Sequence, residues 1–167
     1  MRKQVVFLGG SPPLMTTGEK RRMSLMQWSV NYYTGLPEVD RQHEALFGLV
    51  NRLYDARGHR AEIIEQAFAD LRDYVREHFS LEEKLMAESG LDAGYIARHR
   101  AAHENFIMRV DELWDVHRAG SDSAAEELLG FLMAWLREHI LHTDRNMALD
   151  IHARMGTEAP HNQFAHF

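Results

Sequence analysis

Histidine and carboxylate side chains interrupt the apolar faces of the helices that this sequence predicts. His78 and Glu82 stand four residues apart, as do His99 and His103, so each pair projects from one face of a helix. All four replace apolar residues on stripes that must face a core, where polar groups without partners cost several kcal/mol. Imidazole and carboxylate are good ligands for iron, zinc and manganese. The sequence therefore predicts a helical bundle with metal ions in its interior.

Two further segments complete the predicted site. His43 belongs to DRQH, and HILHTD places His139 and Asp144 five residues apart. On a regular helix five residues turn Asp144 about 140° away from His139. We therefore expect a widened, π-like turn or a frayed helix end between them. The predicted metal ligands are His43, His78, Glu82, His99, His103, His139 and Asp144.

Taken alone, each of these motifs is more common on a solvated helix surface than at a metal site. Here, however, all four predicted helices contribute ligands along their apolar stripes. Glu83 and Lys84 are predicted to lie on such a solvated face. The other six histidines are expected in turns, on outer faces or in the tail, outside the site. They are His59, His117, His142, His152, His161 and His166.

Four amphipathic helices are predicted, over about residues 39–57, 61–88, 92–119 and from about 124 onward. Ser121 or Ser123 is expected to cap the fourth, with Glu126 completing a capping box with Ser123. Short turns between the helices predict an all-α, up-down-up-down antiparallel four-helix bundle. An aromatic arm, MQWSVNYYTGLPEVD, precedes it, in which Gly35 and Pro37 are expected to stop regular structure. Such an arm is expected to cover one end of the core.

The predicted domain spans residues 24–153, between a flexible N-terminal extension (1–23) and a C-terminal tail (154–167). Met23 is an alternative start of the chain. The run VVFL is too short for a secretory signal, and no stretch approaches the ~20 apolar residues of a membrane-spanning helix. We therefore expect a cytoplasmic protein.

Composition restricts the partners. The net charge of −6, without a cluster of lysine and arginine, argues against nucleic acid or an anionic membrane. The chain has no cysteine, so disulfides, iron–sulfur clusters and thiolate zinc sites are excluded.

The number of ligands points to the chemistry. Two octahedral metal ions offer about twelve coordination positions. Five histidines, two bridging carboxylates and a bridging oxide or hydroxide leave one position open. A single open position suits the end-on binding of a small diatomic molecule and leaves little room for a second substrate.

These motifs resemble the hemerythrin family, and within it the single-domain bacteriohemerythrins. The resemblance covers about residues 26–150: the aromatic arm, DRQHEALF, YVREHFSLEEKLM, HRAAHENF and FLMAWLREHILHTD. It implies two non-haem iron ions, bridged by Glu82, Asp144 and an oxo or hydroxo group. One iron would be held by His99, His103 and His139, and the other by His43 and His78.

The resemblance also implies reversible O2 binding at the two-histidine iron, without enzymatic activity, for storage or for delivery to an oxygen-consuming enzyme. A monomer or weak oligomer is expected. An apolar pocket would exclude water from the bound oxygen; ordinary core packing explains Met86 and Trp135 at least as well. The pocket residues would be Leu46, Phe79, Met86, Trp135 and Leu136.

Three other functions remain open at this point. A di-iron oxidase, peroxidase or nitric-oxide-consuming enzyme is disfavoured, because the only Glu-x-x-His spacing, Glu158 to His161, falls in the tail. A zinc hydrolase is disfavoured because HRAAH lacks the glutamate of HExxH. An oxygen or redox sensor would need a partner that the sequence does not indicate.

Overall fold

A computed structural model describes residues 24–59, 61–121 and 123–160, and within these ranges the chain forms helices and no strand. The elements are a 3-10 turn (Val30–Tyr32), α1 (Pro37–Ala56), α2 (Ala61–Glu88), α3 (Ala93–Arg118), α4 (Ala124–Glu138), a π-helical segment (His139–Asp144) and α5 (Arg145–Met155). The last three are continuous and form the fourth helix of the bundle. The predicted antiparallel four-helix bundle with an N-terminal arm is confirmed.

Two predictions about helix ends are wrong in detail. Pro37 does not stop regular structure but begins α1, because proline has the right φ for the first helical position and needs no backbone donor there. Ser123 does precede α4, yet within the described residues its side chain does not bond to the helix backbone. Its hydroxyl instead donates to Glu127 Oε1 at 3.0 Å, so the capping box with Glu126 is absent.

The apolar interior consists of two clusters. The larger contains Leu46, Phe79 and Leu136, and the smaller contains Met86 and Met147. Along α2, and along the fourth helix, the candidate metal ligands stand between residues of the larger cluster and residues of the smaller one. A layer of buried polar side chains thus divides the core, and the site lies in this layer.

The N-terminal arm is fixed at both ends. The backbone of Met26 exchanges two hydrogen bonds with the side chain of Asn51, at 2.9 and 2.8 Å. Between the ends, Trp28 packs edge-on against Phe47, with 5.4 Å between the ring centroids. The arm therefore lies along α1 and packs against the larger apolar cluster.

The far end of the arm is tied to α5 by four polar residues, which we call the arm clasp: the buried Thr34, Asp40 and His152, and the exposed Thr157. Asp40 accepts hydrogen bonds from the backbone N–H and the hydroxyl of Thr34, at 2.7 and 2.8 Å. His152 Nε2 lies 3.0 Å from the carbonyl oxygen of Thr34, and its Nδ1 lies 2.7 Å from Thr157 Oγ1. The clasp joins the arm to the C-terminal helix across 118 residues of sequence.

Arg154 and Met155 belong to α5, and Thr157 is part of the clasp, so some of the predicted tail is ordered against the bundle. Residues 1–23 and 161–167 lie outside the described residues, and the division into extension, domain and tail remains a prediction. None of the helices in the described ranges is long and apolar enough to cross a membrane.

Candidate metal centre

The structure brings all seven predicted ligands together in the polar layer of the core. Their exposed fractions lie between 0% and 4%. Their ligand atoms form two overlapping groups, in each of which all atoms lie within 4.8 Å of one another. One group contains His99, His103 and His139, the other contains His43 and His78, and Glu82 and Asp144 belong to both.

Each carboxylate directs one oxygen towards each group of histidines. Glu82 Oε2 lies 3.3 Å from His99 Nε2 and 3.2 Å from His103 Nε2, while Glu82 Oε1 lies 3.5 Å from His78 Nε2. Asp144 Oδ1 lies 3.0 Å from His139 Nε2. This arrangement places the two carboxylates where they could bridge two metal ions.

Asp144 approaches the other group with its second oxygen, since Oδ2 lies 3.1 Å from His43 Nε2. The π-helical segment His139–Asp144 makes this possible. Its wider turn keeps residues five apart on the same side of the helix, whereas a regular helix would turn Asp144 outward. The predicted distortion of the fourth helix is confirmed.

The buried polar atoms of this site fit metal ions better than they fit one another. Glu82 Oε1, His43 Nε2 and both carboxylate oxygens of Asp144 are buried without a hydrogen-bond partner in the described part of the chain. The Nε2 atoms of His103 and His139 face each other at 3.1 Å. Buried groups of this kind are costly unless something satisfies them, and a cation between imidazole and carboxylate donors does so.

The electrostatics of the metal-free site keep both carboxylates ionised. Burial and the charge of Asp144 push the pKa of Glu82 upward, but His78, His103 and His99 outweigh them and bring this pKa to about 2. Burial likewise opposes ionisation of Asp144, yet His139, His43 and His99 hold its pKa well below the usual value. Two buried negative charges therefore favour cations at this position.

The pKa values of His78 and His99 shift in opposite directions. Burial lowers the pKa of His78 to about 4, which keeps its imidazole neutral. Burial also disfavours the charged form of His99, but the adjacent carboxylates of Asp144 and Glu82 outweigh this and raise its pKa to about 9. A metal ion must displace the His99 proton, because only a neutral imidazole offers the lone pair that binds metal.

Two residues that sequence reasoning did not assign to the site contact its ligands from outside. Gln42 is buried, and its Oε1 lies 3.0 Å from His78 Nδ1. Glu83 Oε1 lies 3.6 Å from His103 Nδ1, so the expectation that Glu83 is only part of a solvated face is wrong. Lys84 does lie on that face, where it pairs with Glu88.

The predicted pocket residues do not form one group. Leu46, Phe79 and Leu136 are buried in the larger cluster, where Phe79 stacks on His103 with 3.7 Å between the ring centroids. Trp135 is half-buried and stacks on His139 at 4.0 Å. Met86, in contrast, packs in the smaller cluster, so the structure separates it from the other four.

One buried apolar residue next to a candidate ligand, Ile140, was not predicted from the sequence as part of the apolar surround. It follows His139 directly, is 2% exposed and belongs to the larger cluster with Leu136. The sequence does indicate this position, because Ile140 follows the predicted ligand His139 and stands four residues after Leu136, on the same apolar stripe.

The six other histidines lie outside the two groups of ligand atoms or outside the described residues. His59 and His142 are exposed, and His117 is half-buried against Trp114. His152 is only 6% exposed and belongs to the arm clasp, so its predicted place on an outer face or in the tail is wrong. His161 and His166 lie outside the described residues.

One side of the site approaches the surface. A cavity of about 310 Å³ between α3 and the π-helical segment is lined by His99, Tyr95 and Thr143 among others. Burial and the nearby carboxylates raise the pKa of Tyr95 to about 12, so its phenol stays protonated. His99 is thus a candidate ligand with a neighbouring surface cavity.

The fold and the site together define the class of this protein: a four-helix bundle with a buried site for cations. Comparison with known families gives the more specific assignment. Residues 34–148 match the family described as hemerythrin HHE cation binding domain. The chain belongs to the hemerythrin family.

Individual relatives agree. The chain is 35% identical over 123 residues to a bacteriohemerythrin of Pseudomonas aeruginosa, which covers 73% of this chain and 78% of the relative. It is 34% identical over 126 residues to a bacteriohemerythrin of Methylococcus capsulatus, covering 74% and 94%. Among solved structures it is similar to a wild-type hemerythrin crystal structure, with 31% identity, a TM-score of 0.67, and coverage of 76% and 98%.

Proposed function

We propose that this protein binds O2 reversibly at a non-haem di-iron centre and stores oxygen or delivers it to an oxygen-consuming enzyme. The observation that carries the proposal is the division of the carboxylate oxygens. Glu82 and Asp144 each present one oxygen to a group of three histidines and one to a group of two. Membership in the hemerythrin family supports iron as the metal.

The seven candidate ligands would hold the two irons as two unequal positions. His99, His103 and His139 would hold one, His43 and His78 the other, and both carboxylates would bridge them. An iron pair would supply two electrons for reversible O2 binding and an open position on the two-histidine side.

The surrounding side chains would protect such a centre from water. Leu46 and Leu136 are buried beside ligand-bearing turns of α1 and the fourth helix, at 0% and 2% exposure. Phe79 covers the face of His103, and Trp135 covers the face of His139. An apolar surround of this kind limits the access of solvent to the metals and so favours release of O2 over loss of electrons. The proposed role is therefore a carrier and not an enzyme.

The test is a visible spectrum of the anaerobically reduced, iron-loaded protein while oxygen is admitted and then removed. A charge-transfer band that appears and fades over repeated cycles is expected. Protein loaded with zinc is the control and should show no band, because zinc has no redox chemistry. Prompt conversion to a stable oxidised form would contradict the carrier function and favour a di-iron oxidoreductase or a redox sensor.

A further inference from the structure

Two of the candidate ligands are contacted from outside by side chains of different charge. His78 turns Nε2 towards Glu82, and its other ring nitrogen, Nδ1, lies 3.0 Å from Gln42 Oε1. His103 also turns Nε2 towards Glu82, and its Nδ1 lies 3.6 Å from Glu83 Oε1. One group of histidines thus has a neutral amide behind a ligand, and the other has a carboxylate.

Gln42 is placed to fix the ring of His78. Because Nε2 of His78 needs its lone pair for a metal, Nδ1 must carry the proton and donate it to the amide oxygen of Gln42. Gln42 is only 8% exposed and directly precedes His43, the other histidine of the same group. Adjacent residues of α1 therefore supply one candidate ligand and orient a second.

Glu83 acts on His103 by charge. A separation of 3.6 Å is too long for a hydrogen bond, and among the described residues Nδ1 of His103 has no hydrogen-bond partner. Arg100 Nε donates to Glu83 Oε2 at 2.8 Å, which holds the carboxylate in place although it offsets part of its charge. A negative charge behind an imidazole raises the electron donation of that ligand to a metal.

We propose that Gln42 and Glu83 are positioning residues that make the two metal positions unequal, the position beside His103 being the easier to oxidise. The inference rests on the proposed function, because it requires two bound metal ions. A carboxylate behind the ligand favours the higher charge of an oxidised ion, and a neutral amide lacks this effect. The first electron is therefore lost on the three-histidine side, and the second on the side of His43 and His78.

The test is an anaerobic redox titration of the iron-loaded full chain, followed by electron paramagnetic resonance of the mixed-valent state. Each of the two steps passes one electron to the titrating oxidant. Glu83→Gln should raise the potential of the first step, and Gln42→Glu should lower that of the second. Both changes bring the steps together, so the comproportionation constant should fall about tenfold. For one electron this corresponds to about 59 mV.

Matched controls separate local from general effects of charge. Glu104→Gln removes the same charge next to His103 in sequence but at an exposed position, and Gln66→Glu adds a charge on the exposed face of α2. Neither control should change the separation of the two steps. Equal effects of the controls and the test variants would overturn the inference.

A second measurement does not depend on redox chemistry. In zinc-loaded protein, Gln42→Leu should speed hydrogen exchange of the His78 Nδ1 proton at least tenfold by nuclear magnetic resonance. Gln66→Leu is the control and should leave this rate unchanged. If the protein binds two ions per chain but neither Glu83→Gln nor Gln42→Glu changes the difference between the two potentials, this inference alone is overturned. Fewer than two ions in the unsubstituted protein would overturn it together with the proposed function.

Discussion

Asp144 reaches both groups of histidines, so one substitution there affects both halves of the candidate centre. Asp144→Ala removes the oxygens that lie 3.1 Å from His43 and 3.0 Å from His139. We expect the variant to bind fewer than two irons per chain, because each position loses an anionic ligand. Metal content by mass spectrometry, with circular dichroism to verify folding, measures this. The exposed residue Asp150 provides the control, and retention of two irons in Asp144→Ala would show that this carboxylate is not a bridge.

Leu136 tests whether the apolar surround protects the centre. Leu136→Ala opens space beside His139 and should cost about 2–5 kcal/mol of unfolding free energy. It should also speed the autoxidation of the oxygenated protein, measured as the decay of its visible band. Leu132→Ala is the matched control, because Leu132 is also buried on α4 but lies one turn farther from the site. If both variants autoxidise at the unsubstituted rate, Leu136 has no protective role.

At the scale of elements, the π-helical segment and the arm clasp show how the second half of the fourth helix serves the site and the arm. The segment sets the direction of Asp144, and α5 then carries His152 to the arm. Gly35 lies within the clasp region at a φ of +80°, where a Cβ would approach Pro160 Cδ to 2.5 Å and His152 Nε2 to 2.9 Å. The close approach of three chain segments therefore requires glycine at this position.

Gly35→Ala should destabilise the protein more than Gly58→Ala does. Both glycines have nearly the same φ, +80° and +79°, so both substitutions carry a similar backbone cost of about 1 kcal/mol. Among the described residues none has an atom within 4 Å of a Cβ at Gly58, whereas at Gly35 the arm must move away from α5. Urea unfolding of the two variants isolates the difference. Equal losses of unfolding free energy in the two variants would show that the arm can move away from α5 without loss of stability.

The local elements were predictable because their signals are local. Helices, the change of helical register before Asp144 and the candidate ligands all follow from spacings of three to five residues. Gln42, Glu83 and His152 escaped prediction because each meets a partner from another helix or from the arm. Gln42 contacts a residue 36 positions away, and His152 contacts one 118 positions away. No periodicity in the sequence marks such pairs, and glutamine or glutamate beside a ligand is also common on solvated faces.

At the scale of the whole molecule, metal ions bound in the layer of seven polar side chains between the two apolar clusters would make folding stability depend on metal. Ions that bind only the folded state add about 2.7 kcal/mol when the free ion is at 100 times its dissociation constant. We expect ferrous or zinc ions to raise the urea midpoint and a chelator to lower it. Calcium, which prefers oxygen ligands, is the control ion and should have little effect. An unchanged midpoint with zinc and with iron would contradict a metal site in this layer.

The order of the candidate ligands along the chain has a consequence for biosynthesis. His43 is the first, and Asp144 is the last, 101 positions later. At a translation rate of ~5–20 residues per second, the last ligand is made roughly 5–20 s after the first. Until then the nascent chain holds unpaired histidines and no complete binding site. Under the proposed function, both irons could be held only after Asp144 has been made, and a chain that ends before Asp144 would lack the complete two-metal site.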